Sequence, residues 1–147
     1  MKSVLRLRIR APLARIFALA ADVERWPERL PHYRYVRSVP DPAGERRFAM
    51  GARRGPIPVR WEAIQRPRPG DGVIEFVHTG GVTRGMRVAW RLRPDGDAVE
   101  VSIEHRLELR WPLVGGLVAE RIIGPQFIEA IAGRTLRRVK ELAEAGS

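Results

Sequence analysis

The 147-residue chain contains no cysteine. That one absence removes disulfides, cysteine nucleophiles and thiolate metal ligands together. Lysine is almost missing too: 25 of the 27 basic residues are arginine, leaving only Lys2 and Lys140. Histidine occurs three times. His32, His78 and His105 show no HxH or HExxH spacing, so no zinc site is expected. There is no GxSxG and no phosphate loop. GGVTRG at 80–85 reads as hairpin chemistry, because no helix follows it as a dinucleotide fingerprint requires. No cofactor is expected. No apolar run approaches the ~18 residues of a membrane span. The start, MKSVLRLRIRAP, alternates apolar and basic residues where a secretory signal would have an unbroken apolar core. The expectation is a soluble, cytoplasmic protein with a single domain over residues 1–147.

Apolar content and positive charge are what the chain does have. Hydrophobic residues make up 44%, which excludes a disordered tail. The formal net charge is +10. An excess of that size admits a nucleic-acid interface or a plain solvated basic surface. The strand faces on which the arginines fall separate the two.

Residues 3–10 alternate, with Val4, Arg6, Arg8 and Arg10 opposite Leu5, Leu7 and Ile9, as in a strand with one wet face. Pro12 opens a helix that carries Ile16, Phe17, Leu19 and Ala20 and runs to about Ala21. Asp22 is a natural N-cap for a second short helix ending near Leu30-Pro31. Strands are then expected over 33–39, 47–53, 59–65, 73–79, 84–93 and 99–109, separated by turns rich in Pro, Gly and Asp. WPLVGG at 111–116 leaves the sheet. Helix is expected over 117–123, is interrupted at Gly124-Pro125, and continues over 126–143. Ile128, Ile131, Ala132, Leu136, Val139 and Leu142 form its apolar stripe. The fold class is α+β: a seven-stranded antiparallel sheet, two short helices after the first strand, and a long C-terminal helix covering one face.

Alternation also assigns the faces. Val99, Val101, Ile103, His105, Leu107 and Leu109 share the apolar side of the last strand, with Glu100, Glu104 and Glu108 on the other. Arg84, Met86, Val88, Trp90 and Leu92 are inward on the preceding strand, and Arg87, Arg91 and Arg93 outward. Outward arginines therefore lie beside outward glutamates, and opposite charges across a sheet attract. The aromatics Trp61, Phe76 and Trp90 fall on the inward parity, whereas single-stranded nucleic acid needs exposed ones. A solvated surface is the favoured reading of the charge. His78, Arg84 and His105 also carry inward parity. With strands ~4.8 Å apart, the two histidines are expected about 10 Å apart with Arg84 between them. A polar patch at one end of an apolar cavity suits a small ligand, and a packed core would leave a buried arginine costly.

ADVERWPERLPHYRYV at 21–36, WEA at 61–63, GMRVAWRLRP at 85–94 and WPLVGGL at 111–117, in this order, resemble the START-like superfamily. Within it the chain is similar to the polyketide cyclase/dehydrase and coenzyme Q-binding group. The resemblance implies a helix-grip fold, in which the curved sheet grips the C-terminal helix around a deep apolar cavity and the last strand pairs with the first. Aromatase/cyclase members resemble the chain at Trp26 and Tyr33. After the strand tryptophan matched by Trp61 they carry Ser and Arg, where Ala63 and Gln65 stand here. The leading expectation is a protein that binds a hydrophobic or amphipathic small molecule such as a lipid, quinone or polyketide-like ring. Trp26, Tyr33, Trp61, Phe76, Met86 and Trp90 would line its cavity, and Gln65, His78, Arg84 and His105 would orient a polar end. The alternatives are a polyketide cyclase, aromatase or dehydratase acting by acid–base chemistry, and a basic nucleic-acid binder.

Overall fold

The computed structural model describes residues 2–81, 83–107 and 129–146. β1 (Lys2–Ile9) leads into α1 (Leu13–Ala21). A 3-10 turn (Val23–Arg25) and the one-turn α2 (Trp26–Arg29) follow. Six strands come next: β2 (Tyr33–Val39), β3 (Arg46–Arg54), β4 (Ile57–Arg68), β5 (Val73–Gly81), β6 (Arg87–Asp95) and β7 (Ala98–Arg106). α3 (Gly133–Ala145) is the long helix near the C-terminus. The helix expected over 117–123, the Gly124-Pro125 interruption, the start of the stretch 126–143 and the WPLVGG segment lie outside the described residues, as do Glu108 and Leu109. Among the described residues no helix is long and apolar enough to cross a membrane.

The strands form one antiparallel sheet in the order β1-β7-β6-β5-β4-β3-β2. Consecutive strands pair through tight turns, and only β1 crosses over, to pair with β7 from Lys2↔Arg106 to Ile9↔Val99. The register shifts between Glu62 and Ala63 in β4 and between Tyr33 and Tyr35 in β2. Such bulges bend a strand and re-aim its side chains.

Inward positions of the sheet and one stripe of α3 meet in a single core. Val99, Val101, Ile103 and His105 are buried on β7, and Met86, Val88, Trp90 and Leu92 on and just before β6. α3 contributes Leu136, Val139 and Ala143, and Ile131 precedes it. The outer face carries the expected charge lattice: Arg91 Nε lies 2.9 Å from Glu104 Oε2, and Arg68 Nη1 3.1 Å from Glu75 Oε1. Arg8, on β1, reaches Asp95 and Asp97 in the β6–β7 turn.

Two local expectations change. Asp22 precedes the 3-10 turn, but its side chain makes no cap hydrogen bond. Its carboxylate instead lies 3.6 Å from Arg25 and 3.8 Å from Arg29. Arg84 is not inward. It is exposed in the turn over 83–85, and β6 begins only at Arg87. Arg84 N donates to Gly81 O (3.1 Å) and Met86 N to Thr83 O (2.9 Å), so consecutive turns take Arg84 out of the ladder. Gly85, at φ +93°, adopts the left-handed backbone that this turn needs. A period of two assigns faces only while the strand lasts.

Candidate functional site

A chamber lies between the sheet and the helix. Trp26 of α2 and Tyr33 at the start of β2 form one side. Met50, Trp61, Phe76 and His78 continue around it on β3, β4 and β5. Val88, Trp90, Ile103 and His105 of β6 and β7 complete the sheet side, and Ala132 and Thr135 close it from the helix. The chamber's volume is about 40 Å³. That is room for a few waters, well short of the roughly 300 Å³ where drug-sized pockets begin. The deep hollow implied by the resemblance is, in this conformation, a small chamber largely filled by its own aromatic rings.

Those rings pack edge to face. Trp26 and Tyr33 have centroids 5.1 Å apart at 63°, and Tyr33 and Trp61 are 5.9 Å apart at 72°. Such pairs contribute about 0.5–1.5 kcal/mol beyond burial. Trp61 stacks on His78 at 6.1 Å and 12°. Trp26 Nε1 donates to Leu19 O at 3.1 Å, which satisfies its polar edge.

The polar groups are His78 and His105 from the sheet and Thr135 from the helix. The partner of His78 is Thr83, not Arg84: Nδ1 lies 2.7 Å from Thr83 Oγ1, and both residues are buried. At the helix, Thr135 Oγ1 donates to Ile131 O (2.8 Å), which uses its only proton. His32 Nε2 therefore donates to Thr135 Oγ1 (2.9 Å), and Ile131 O lies 3.2 Å from the same nitrogen. Burial lowers the His78 pKa to about 3, with His105 adding to the effect, and lowers His105 to about 4. Burial also takes His32 down to about 4, with Arg134 and Arg137 adding and the Ile131 carbonyl opposing. All three imidazoles are neutral at pH 7. Burial drives the Tyr33 phenol well above its ordinary range, opposed by Thr135, so it too stays protonated.

Of the ten residues singled out in the sequence, Trp26, Tyr33, Trp61, Phe76, His78, Trp90 and His105 meet at the chamber. Met86 is fully buried but does not line it. Gln65 is occupied elsewhere: its amide donates to Ala21 O (2.8 Å) and accepts from Arg46 Nε (3.0 Å), tying the end of α1 to β3 and β4. Arg84 is in solvent. Thr83 and Thr135 were not singled out. A threonine four residues after Ile131 on an apolar stripe was a usable signal for Thr135. Thr83 carried none, because its burial depends on the turn. Among the described residues no three potential ligands converge as a metal ion would need.

Residues 9–130 match the family described as polyketide cyclase / dehydrase and lipid transport. A 101-residue stretch, 67% of this chain, is 31% identical to the actinorhodin polyketide synthase bifunctional cyclase/dehydratase of Streptomyces coelicolor. It corresponds to 32% of that protein, so the chain spans about a third of the curated relative. The crystal structure of TTHA0849 from Thermus thermophilus aligns with a TM-score of 0.80 at 22% identity, covering 100% of this chain and 99% of that one. A START superfamily protein from Mycobacterium smegmatis aligns with a TM-score of 0.68 at 15% identity, covering 98% and 94%. At these identities the two structures establish the shared helix-grip fold.

Proposed function

The chain belongs to the polyketide cyclase/dehydrase and lipid transport family, and from that premise we propose that it binds or carries a hydrophobic or amphipathic small molecule between its sheet and its C-terminal helix. The observation that carries this reading is the make-up of the chamber, whose aromatic walls enclose polar groups that are all neutral at pH 7. A neutral imidazole offers one donor and one acceptor, and a protonated phenol adds another donor. Such groups fix a carbonyl or hydroxyl on an apolar body without a buried charge to desolvate. A lipid, quinone or polyketide-like ring has those oxygens. With about 40 Å³ free, the ligand enters by displacing lining side chains, and Met50 is the most adaptable of them.

Trp26, Trp61 and Trp90 all line the chamber, so occupancy should change tryptophan emission. Titration with a fatty acid or a naphthoquinone is expected to quench emission saturably, and Trp61→Phe should remove much of that change. No quenching by any apolar probe, together with empty protein in native mass spectra from its own source, overturns the reading.

The second reading is a cyclase, aromatase or dehydratase with His78 or His105 as general base, favoured by the named activity of the Streptomyces coelicolor relative. General bases work best at pH 7 with a pKa near 7, and these two lie at about 3 and about 4. A base of that kind would give a rate on a poly-β-ketone that rises through about pH 4 and is level above it, and His105→Ala would abolish it. No turnover of such substrates removes this reading.

A further inference from the structure

A second concavity, of about 480 Å³, opens on the far side of His32. His32, Arg53, Arg134, Arg137, Arg138 and Glu141 border it, where α3 faces the β3–β4 hairpin. Four guanidiniums share one carboxylate, and that carboxylate is occupied: Arg138 Nη1 lies 3.0 Å from Glu141 Oε2. Arg138 Nε donates to Arg29 O at 3.0 Å. Arg53, Arg134 and Arg137 are exposed, and among the described residues none of them is in an ion pair. Arg47, by contrast, is paired with Asp41 and Glu62, and Lys140 with Glu144. Arg134 and Arg137 stand three apart on one helix, where like charges repel. Among the described residues, Glu141 is the one carboxylate that borders this concentration of charge.

The groove and the chamber share a wall. His32 borders the groove, Thr135 lines the chamber, and the two are joined by the 2.9 Å hydrogen bond. The His32 ring also packs on Tyr33 with centroids 4.8 Å apart. Arg53 N donates to His32 O at 2.8 Å, which holds the hairpin arginine at the same partition. Guanidinium forks match phosphate oxygens in pairs. We infer that this groove takes the phosphate-class head group of an amphipathic ligand whose apolar part occupies the chamber behind His32 and Thr135. The inference rests on the binding reading above and names the ligand's charged end.

Calorimetric titration with octyl phosphate, 1-octanol and inorganic phosphate tests it, on the wild-type chain, R134Q/R137Q and the outer-face control R87Q/R93Q. The replaced residues are all exposed, so thermal midpoints should stay close to wild type. Octyl phosphate should bind the wild type at least about tenfold more tightly than either octanol or inorganic phosphate. R134Q/R137Q should lose that advantage over octanol, the equally charged control should keep it, and octanol affinity should not change. Equal affinity for octyl phosphate and octanol, or an advantage that survives R134Q/R137Q, overturns the head-group site and leaves the chamber reading standing. Inorganic phosphate binding as tightly as octyl phosphate makes the groove a free-anion site and also overturns it. Octanol that does not bind, with octyl phosphate no tighter than inorganic phosphate, overturns both readings.

Discussion

Three buried imidazoles set how the protein should answer to acid. His32, His78 and His105 are 3%, 4% and 1% exposed. Their folded pKa values, about 4, about 3 and about 4, lie below the ordinary 6.5. Between about pH 4 and 6.5 the unfolded chain therefore binds more protons than the folded one, and stability rises with pH across that window. The contribution is complete above pH 6.5 and is lost as pH falls towards 4. Each histidine should account for on the order of 3 kcal/mol over the window. Urea midpoints measured from pH 7 to 4 should fall steeply, and His105→Gln should flatten the profile; an already flat wild-type profile would refute the assignment. The inward parity of His78 and His105 was legible from alternation alone. That of Arg84 was misread by the same rule, because the Thr83–Gly85 turn is closed by hydrogen bonds to Gly81 and His78 that no spacing reveals.

Turns and helix ends show the same division among elements. PDPAG at 40–44 reads as a turn from composition, and the structure shows what Asp41 does there. Its Oδ2 accepts from Ala43 N (2.9 Å) and Glu45 N (3.0 Å). Its Oδ1 accepts from Arg47 Nε at 2.8 Å. Arg47 then reaches Glu62 Oε1 (3.0 Å) on β4 and Thr79 Oγ1 (3.1 Å) on β5, so one network spans the turn and three strands. Hydrogen bonds from the Glu45 amide, from Arg47 and from the Ala43 amide hold the Asp41 carboxyl below its usual pKa. Asp41→Ala should lower the thermal midpoint and speed amide exchange at Ala43 and Glu45, and Asp41→Asn should lie between. Unchanged exchange at both amides would mean that the carboxylate does not hold the turn. Asp22 looked equally suited to a cap, yet its carboxylate faces Arg25 and Arg29. A local signal names a residue fit for the role, and tertiary neighbours decide whether it takes it.

At the scale of the molecule, the +10 charge divides in two. On the outer sheet face arginines lie among carboxylates, in pairs such as Arg91–Glu104 and Arg66–Glu45. Exposed pairs of this kind contribute little individually, but a face of mixed sign matches a nucleic-acid backbone less well than a face of one sign. Gel-shift titrations with duplex and single-stranded oligonucleotides at ~0.15 M salt should give no saturable complex, and tight binding with a steep salt dependence would restore the nucleic-acid reading. Four further arginines, Arg53, Arg134, Arg137 and Arg138, border the groove beside His32. The sequence by itself determined the chemistry that is missing, the order of strands and helices, the face each strand buries and the family resemblance, because periodicity and turn composition are local properties. Only the tertiary structure decided which inward residues meet, how little space remains between them, and that Arg53 of a hairpin joins Arg134 and Arg137 of a helix some eighty residues later. Those outcomes depend on register, turn closure and the packing of segments remote in sequence, and no spacing along the chain encodes such distances.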